Sequence, residues 1–82
     1  MDSNYEIDYE LFNTLEVIKI IEFFRLIEQN KRKPVDGKIL VEKYREYQNI
    51  LCSKILEKKY DKMLYQKSKV SIYKTLEPYL KK

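Results

Sequence analysis

The chain has no histidine and no tryptophan, and only one glycine, one cysteine and two prolines among its 82 residues. Without histidine, Ser–His and Cys–His nucleophile pairs are excluded. No Cys/His cluster can hold zinc, so any metal would need an all-carboxylate site. A single glycine, Gly37, rules out the glycine-rich loops that cradle phosphates. So few glycines and prolines also argue against a sheet built from tight hairpins. Cys52, standing alone, has no internal disulfide partner, and its ILCS context predicts a small half-buried hydrophobe. No apolar run is long enough to cross a bilayer, and MDSNYEIDYE lacks the basic-then-apolar layout of a secretory signal. These absences predict a cytoplasmic protein that is not an enzyme, has no cofactor and keeps clear of the membrane.

What is present is charge and grease. The composition is 44% hydrophobic and 37% charged, which suits a small folded globule. Residues 1–82 are read as one domain, since the length leaves no room for a second core. The net charge of +4 hides an asymmetry. Residues 1–30 carry seven acids against Lys19 and Arg25, and residues 31–82 carry fifteen bases against six acids. Either end can attract a partner, or the acidic arm can lie across the basic half.

Residues 1–12 have no helical period and are expected to be an extended lead-in. Asn13 with Glu16 makes a capping-box pattern, so a first helix is placed over about 14–29. Val17, Ile20, Ile21, Phe24 and Ile27 share its expected core arc, and Leu15, Phe23 and Leu26 fill an adjoining arc. Apolar over more than half its girth, this helix is expected at the centre of the domain. After the break NKRKPVDGK, Asp36 can cap a second helix over 37–51, with Leu40, Tyr44, Tyr47 and Leu51 as its core stripe. Ser53 can cap a third over 54–67, with Leu56, Tyr60, Met63 and Leu64 inward. Ser71 can cap a short fourth over 72–77, packed through Ile72, Tyr73 and Leu76 and ended by Pro78. The fold class is therefore all-α: a small helical bundle of three main helices plus a short fourth.

Glu6, Asp8 and Glu10 alternate like a ligand run but lack the glycine turn and closing bidentate Glu of a calcium loop. Glu42/Glu46 and Glu57/Asp61 are paired at helical spacing, and solvated helix acids are the ordinary reading of such pairs. The more informative feature is SKILEKKYDKMLYQ. Its Lys54, Lys58 and Lys62 recur at i, i+4, i+8 with Tyr65 on the same side. Lysines so spaced can track a phosphate backbone and an aromatic can stack a base. Yet Glu57 and Asp61 interrupt the stripe, and no Arg, Asn or Gln is placed to read bases. The plain alternative is the wet side of a core helix.

Two surfaces thus become candidates for a partner: the face of Lys54, Lys58, Lys62 and Tyr65, and the apolar arc of Leu15, Phe23 and Leu26, where a homodimer is the other expectation. The leading expectation is a non-catalytic protein-interaction or regulatory module with a protein partner. The alternative is a weak, sequence-independent nucleic-acid binder using residues 31–33 and the same lysines.

Taken in order, EVIKIIEFFRLIE, LVEKYREYQNIL, SKILEKKY and SKVSIYKTLE resemble the bacterial uncharacterised protein family 0223. That family's pattern runs approximately W-[ST]-x-E-E-I-I-x-V-x-x-F-F-x-x-[VI]-E, then A-Y-[KR]-x-F-K-x-[IV]-V-P-x-K-A-E-E-K, then S-G-Y-S-x-Y-[KR]. Phe12 falls at its tryptophan, Phe23 and Phe24 at F-F, and Glu28 at the closing acid. Tyr44, Arg45 and Tyr47 match the second element, Lys54, Glu57 and Lys58 its end, and Ser68, Ser71 and Tyr73 the last motif. The lead-in YEID resembles the family's Y-P-[LI]-D. Cys52 stands for a proline, Leu56 for an acid, and Lys69–Val70 for Gly–Tyr, so the loop before the fourth helix is expected to differ in shape. The resemblance implies a compact helical domain from the cytoplasm of Gram-positive-type bacteria, and it supplies no activity.

Overall fold

Asn13 and Glu16 close a reciprocal cap. The Asn13 side chain accepts from the Glu16 N–H at 2.8 Å, and the Glu16 carboxylate accepts from the Asn13 N–H at 3.0 Å. From this cap α1 runs Thr14–Arg32. The computed structural model describes residues 5–80, and the first four residues of the expected lead-in lie outside them. After α1 come α2 (Gly37–Leu51), α3 (Lys54–Ser68) and α4 (Ile72–Leu80), and no strand occurs among the described residues. Asp36 caps α2 by accepting from the Lys38 N–H, and Ser53 caps α3 by accepting from the Leu56 N–H.

Two helices outrun their expected ends. Past Gln29, Lys31 and Arg32 sit in the last turn of α1, where positive charge complements the helix dipole. Asn30 then accepts from the Val35 N–H and ties down the turn. Pro78 does not stop the last helix; it lies inside α4. Proline's fixed φ is helical, but inside the helix it loses the hydrogen bond to the Lys74 carbonyl and its ring crowds that carbonyl. Lys74 is exposed, and water can meet that carbonyl.

The core gathers Ile20, Phe23, Phe24 and Ile27 from α1, Leu40, Tyr47 and Leu51 from α2, Tyr60 and Leu64 from α3, and Ile72 and Leu76 from α4. The shared element is α2, which packs against α1, α3 and α4. This corrects the expectation of a central α1. An aromatic ladder joins the first two helices: Phe23 stacks on Tyr47 at 4.5 Å between centroids, and Tyr44 follows Tyr47 at 6.4 Å.

The lead-in is part of the core rather than a simple extended arm. Tyr5 and Ile7 are buried while Glu6 between them is exposed, and Tyr9–Leu11 form a 3-10 turn. Tyr5 donates to Glu28 at 2.7 Å, and Ser68 donates to the other oxygen of the same carboxylate. Asp8 meets α3 through Lys59 and Tyr60. The acidic arm therefore lies across the basic half, one of the two arrangements that the charge asymmetry allows.

Among the described residues two are left-handed, Cys52 (φ 50) and Lys69 (φ 61), and both sit at helix C-termini. Cys52 is exposed, not half-buried, and its thiol donates to the Asn49 carbonyl at 2.8 Å. Lys69 holds the backbone region that glycine favours. The loop before α4 thus makes a glycine-type turn without glycine, and Val70 fills the adjoining buried position.

A candidate docking groove between three helices

The α2–α3 turn at Cys52 brings two helices side by side, and Asp61 fixes the third. Its carboxylate accepts from the Ile72 N–H at 2.9 Å, anchoring the start of α4 to the flank of α3. The three helices leave a groove of about 420 Å³ between them. Tyr44 and Tyr47 from α2 and Tyr73 from α4 form its aromatic walls, with Gln48 and Ile72 beside them. Glu57 and Asp61 of α3 line it as well, and Lys54 and Lys58 stand at its edge.

The most telling atom is the Tyr47 hydroxyl. Tyr47 is 2% exposed, and its oxygen is buried without a hydrogen-bond partner. Buried polar groups left in this state cost about 1–3 kcal/mol, so natural cores seldom keep them. Burial pushes this phenol up from its ordinary value, and the Glu57 and Asp61 carboxylates push it further. Burial also raises Tyr44, and the same two carboxylates and Tyr73 add to the effect. The inside of the groove is therefore aromatic and electronegative. Glu57 is half-buried, and among the described residues no ion pair reaches it.

The expected lysine face is divided by this geometry. Lys54 and Lys58 border the groove, whereas Lys62 and Tyr65 lie outside it, and Lys62 and Tyr65 are both exposed. The Lys69 ammonium lies 5.9 Å from the Tyr65 ring centroid. The expected apolar arc does not exist as a surface. Phe23 is 1% exposed, because its ring is a rung of the aromatic ladder. Leu26 is half-buried against the core, and Leu15 alone of the three is exposed. Tyr73, expected to pack inward, is 56% exposed and serves as a groove wall.

Sequence reasoning placed Tyr44 and Tyr47 in a core stripe, which accounts for their rings and overlooks their hydroxyls. The signal was available: a tyrosine at a core position carries a polar end that needs a partner. Glu57 and Asp61 are read from the sequence as a solvated carboxylate pair and as interruptions of the lysine stripe, whereas the structure sets both in the groove. Among the described residues no cluster of three or more Asp, Glu or Cys is placed to hold a metal ion, and no helix is long and apolar enough to cross a membrane.

A small all-helical protein with an aromatic groove is the class that this geometry defines. The chain belongs to the uncharacterised protein family UPF0223, whose sequence model matches residues 2–82. It is 35% identical over 77 residues to a UPF0223 protein of Bacillus cytotoxicus and 36% identical over 77 residues to one of Bacillus mycoides; each match covers 94% of this chain and 85% of the relative. A UPF0223 protein of Streptococcus mutans is 28% identical over 78 residues, covering 94% of this chain and 85% of its own length. No solved structure matches the chain. Several residues that carry the family resemblance, Tyr5, Asp8, Glu28 and Ser68, are the ones that tie the lead-in to α1 and α3.

Proposed function

We propose that this bundle of three main helices and a short fourth is a non-catalytic interaction or regulatory module of the bacterial cytoplasm. It docks on a protein through the α2–α3–α4 groove and its lysine edge. The observation that carries this reading is the open groove itself, walled by the rings of half-buried Tyr44 and exposed Tyr73 beside the half-buried Glu57. The rings of Tyr44 and Tyr73 supply apolar contact area, and the Glu57 carboxylate offers a partner's donor group an acceptor. The absence of histidine supports a non-catalytic role, since no nucleophile–histidine pair can be assembled.

The test is capture of partners from host cytosol by the tagged protein, with and without nuclease, beside a Tyr73→Ala/Lys58→Glu variant. Both side chains are exposed, so the variant keeps its core. A defined protein that survives nuclease, is lost with the variant and binds again when purified supports the reading. A catch that disappears with nuclease, or fades steeply with salt as phosphate contacts do, makes the lysine edge a nucleic-acid contact instead. A catch that the variant leaves intact moves the docking surface elsewhere.

A further inference from the structure

The groove joins two features that single out one kind of side chain. Its walls are the rings of Tyr44 and Tyr73, and its inner charge is the half-buried, unpaired Glu57 next to Asp61. We propose, resting on the docking reading above, that the groove receives an arginine side chain from a partner segment in which acidic residues flank that arginine.

The match is chemical. A guanidinium is planar and weakly hydrated, so it can lie against a phenol ring while its N–H groups point at a carboxylate. Glu57 offers that carboxylate, and Asp61 keeps a second oxygen after accepting from the Ile72 N–H. Lysine fits less well, because its compact ammonium has no flat face to place against a ring. Lys54 and Lys58 set the second requirement. They stand exposed at the edge, unpaired with Glu57 or Asp61 among the described residues, and they repel a purely basic segment. Acidic residues on either side of the arginine turn that repulsion into attraction.

The test is a backbone-amide NMR titration of the full chain at constant ionic strength with three acetylated pentapeptides: Gly-Asp-Arg-Asp-Gly, the same with citrulline for arginine, and the same with glutamate for arginine. Citrulline keeps the shape of arginine and removes its charge. The arginine peptide is expected to give saturable shifts at Tyr44, Tyr47, Glu57, Asp61 and Tyr73. The citrulline peptide is expected to bind about tenfold more weakly, as loss of a charge-assisted contact implies. Glu57→Gln, checked for an unchanged melting temperature, is expected to weaken the arginine peptide by about threefold or more while leaving the citrulline peptide unchanged. If the citrulline or glutamate peptide binds as well as the arginine peptide, the arginine assignment is overturned while the groove remains a docking site. If no peptide shifts the groove amides, the assignment is overturned, and the docking reading is judged separately by cytosolic capture and its Tyr73→Ala/Lys58→Glu control.

Discussion

The Tyr60 hydroxyl and Asp8 exchange two hydrogen bonds: the phenol donates to the Asp8 carboxylate at 2.8 Å and accepts from the Asp8 backbone N–H at 3.1 Å. One buried aromatic of α3 thus holds both ends of an arm residue far earlier in the chain. Lys59 adds its ammonium at 3.1 Å. The Tyr60 hydrogen bond first, and Lys59 second, hold the Asp8 carboxyl below its usual value of 3.8. A carboxyl lowered on folding stabilises the fold above its unfolded value, and that contribution disappears as pH falls through the folded value. Thermal melts should therefore show an acid-side loss, beginning as pH falls below the usual 3.8, that is reduced in Asp8→Asn. Tyr60→Phe should cost about 1 kcal/mol at neutral pH. Identical acid profiles for wild type and Asp8→Asn would contradict the pairing.

On the alkaline side the buried tyrosines should resist ionisation while the fold holds. Burial, helped by the Glu28 hydrogen bond, pushes Tyr5 up to about 12, and burial with the Asp8 carboxylate hydrogen bond pushes Tyr60 up to about 12. Tyr47 is raised as well. A group raised on folding stabilises below its unfolded value, here 10.0, and that stability is lost as pH rises from there through the folded value. Phenolate absorbance from Tyr5, Tyr47 and Tyr60 should appear only as the helical circular dichroism collapses. One smooth transition with the helices intact would contradict this.

Lys69→Gly should raise stability. A residue with a Cβ in the left-handed region costs roughly 1–2 kcal/mol, partly offset by glycine's freer unfolded chain, which leaves a net gain of about 0.5–1 kcal/mol. Chemical denaturation of the two proteins measures this directly. A destabilised variant would mean that the cation over Tyr65 matters more than the backbone.

Tyr47→Phe tests the isolated buried hydroxyl. Removing an unpaired buried hydroxyl should leave the melting temperature unchanged or higher, by an amount equivalent to about 1 kcal/mol. A variant that is less stable would mean that the hydroxyl already has a partner in the free protein.

Much of the fold was legible because local signals agreed. Asn13, Asp36, Ser53 and Ser71 each accept from a nearby helix N–H, as their positions before apolar periodic runs suggested. Periodicity could not decide Phe23. Its arc on α1 adjoined the core arc, and only the placement of Tyr47 on the facing helix makes it a buried ring. The lead-in was missed for a different reason. Tyr5 and Ile7 alternate over too short a span to outweigh the acids around them, and the burial of Tyr5 depends on Phe24 and Glu28 arriving from α1. The groove was visible only through its lysines. Its walls come from three helices, and no spacing within one helix reveals a hydroxyl stranded between them.

The most direct test of the docking account is photocrosslinking in the host, with a photoreactive amino acid at position 73 in the groove or at position 18 on exposed Ile18 of α1. The account predicts a discrete, nuclease-resistant protein adduct from position 73 that is lost when Glu57→Gln and Lys58→Glu are added, and none from position 18. Adducts from position 18 alone, or a position-73 adduct that is nucleic acid, would contradict it.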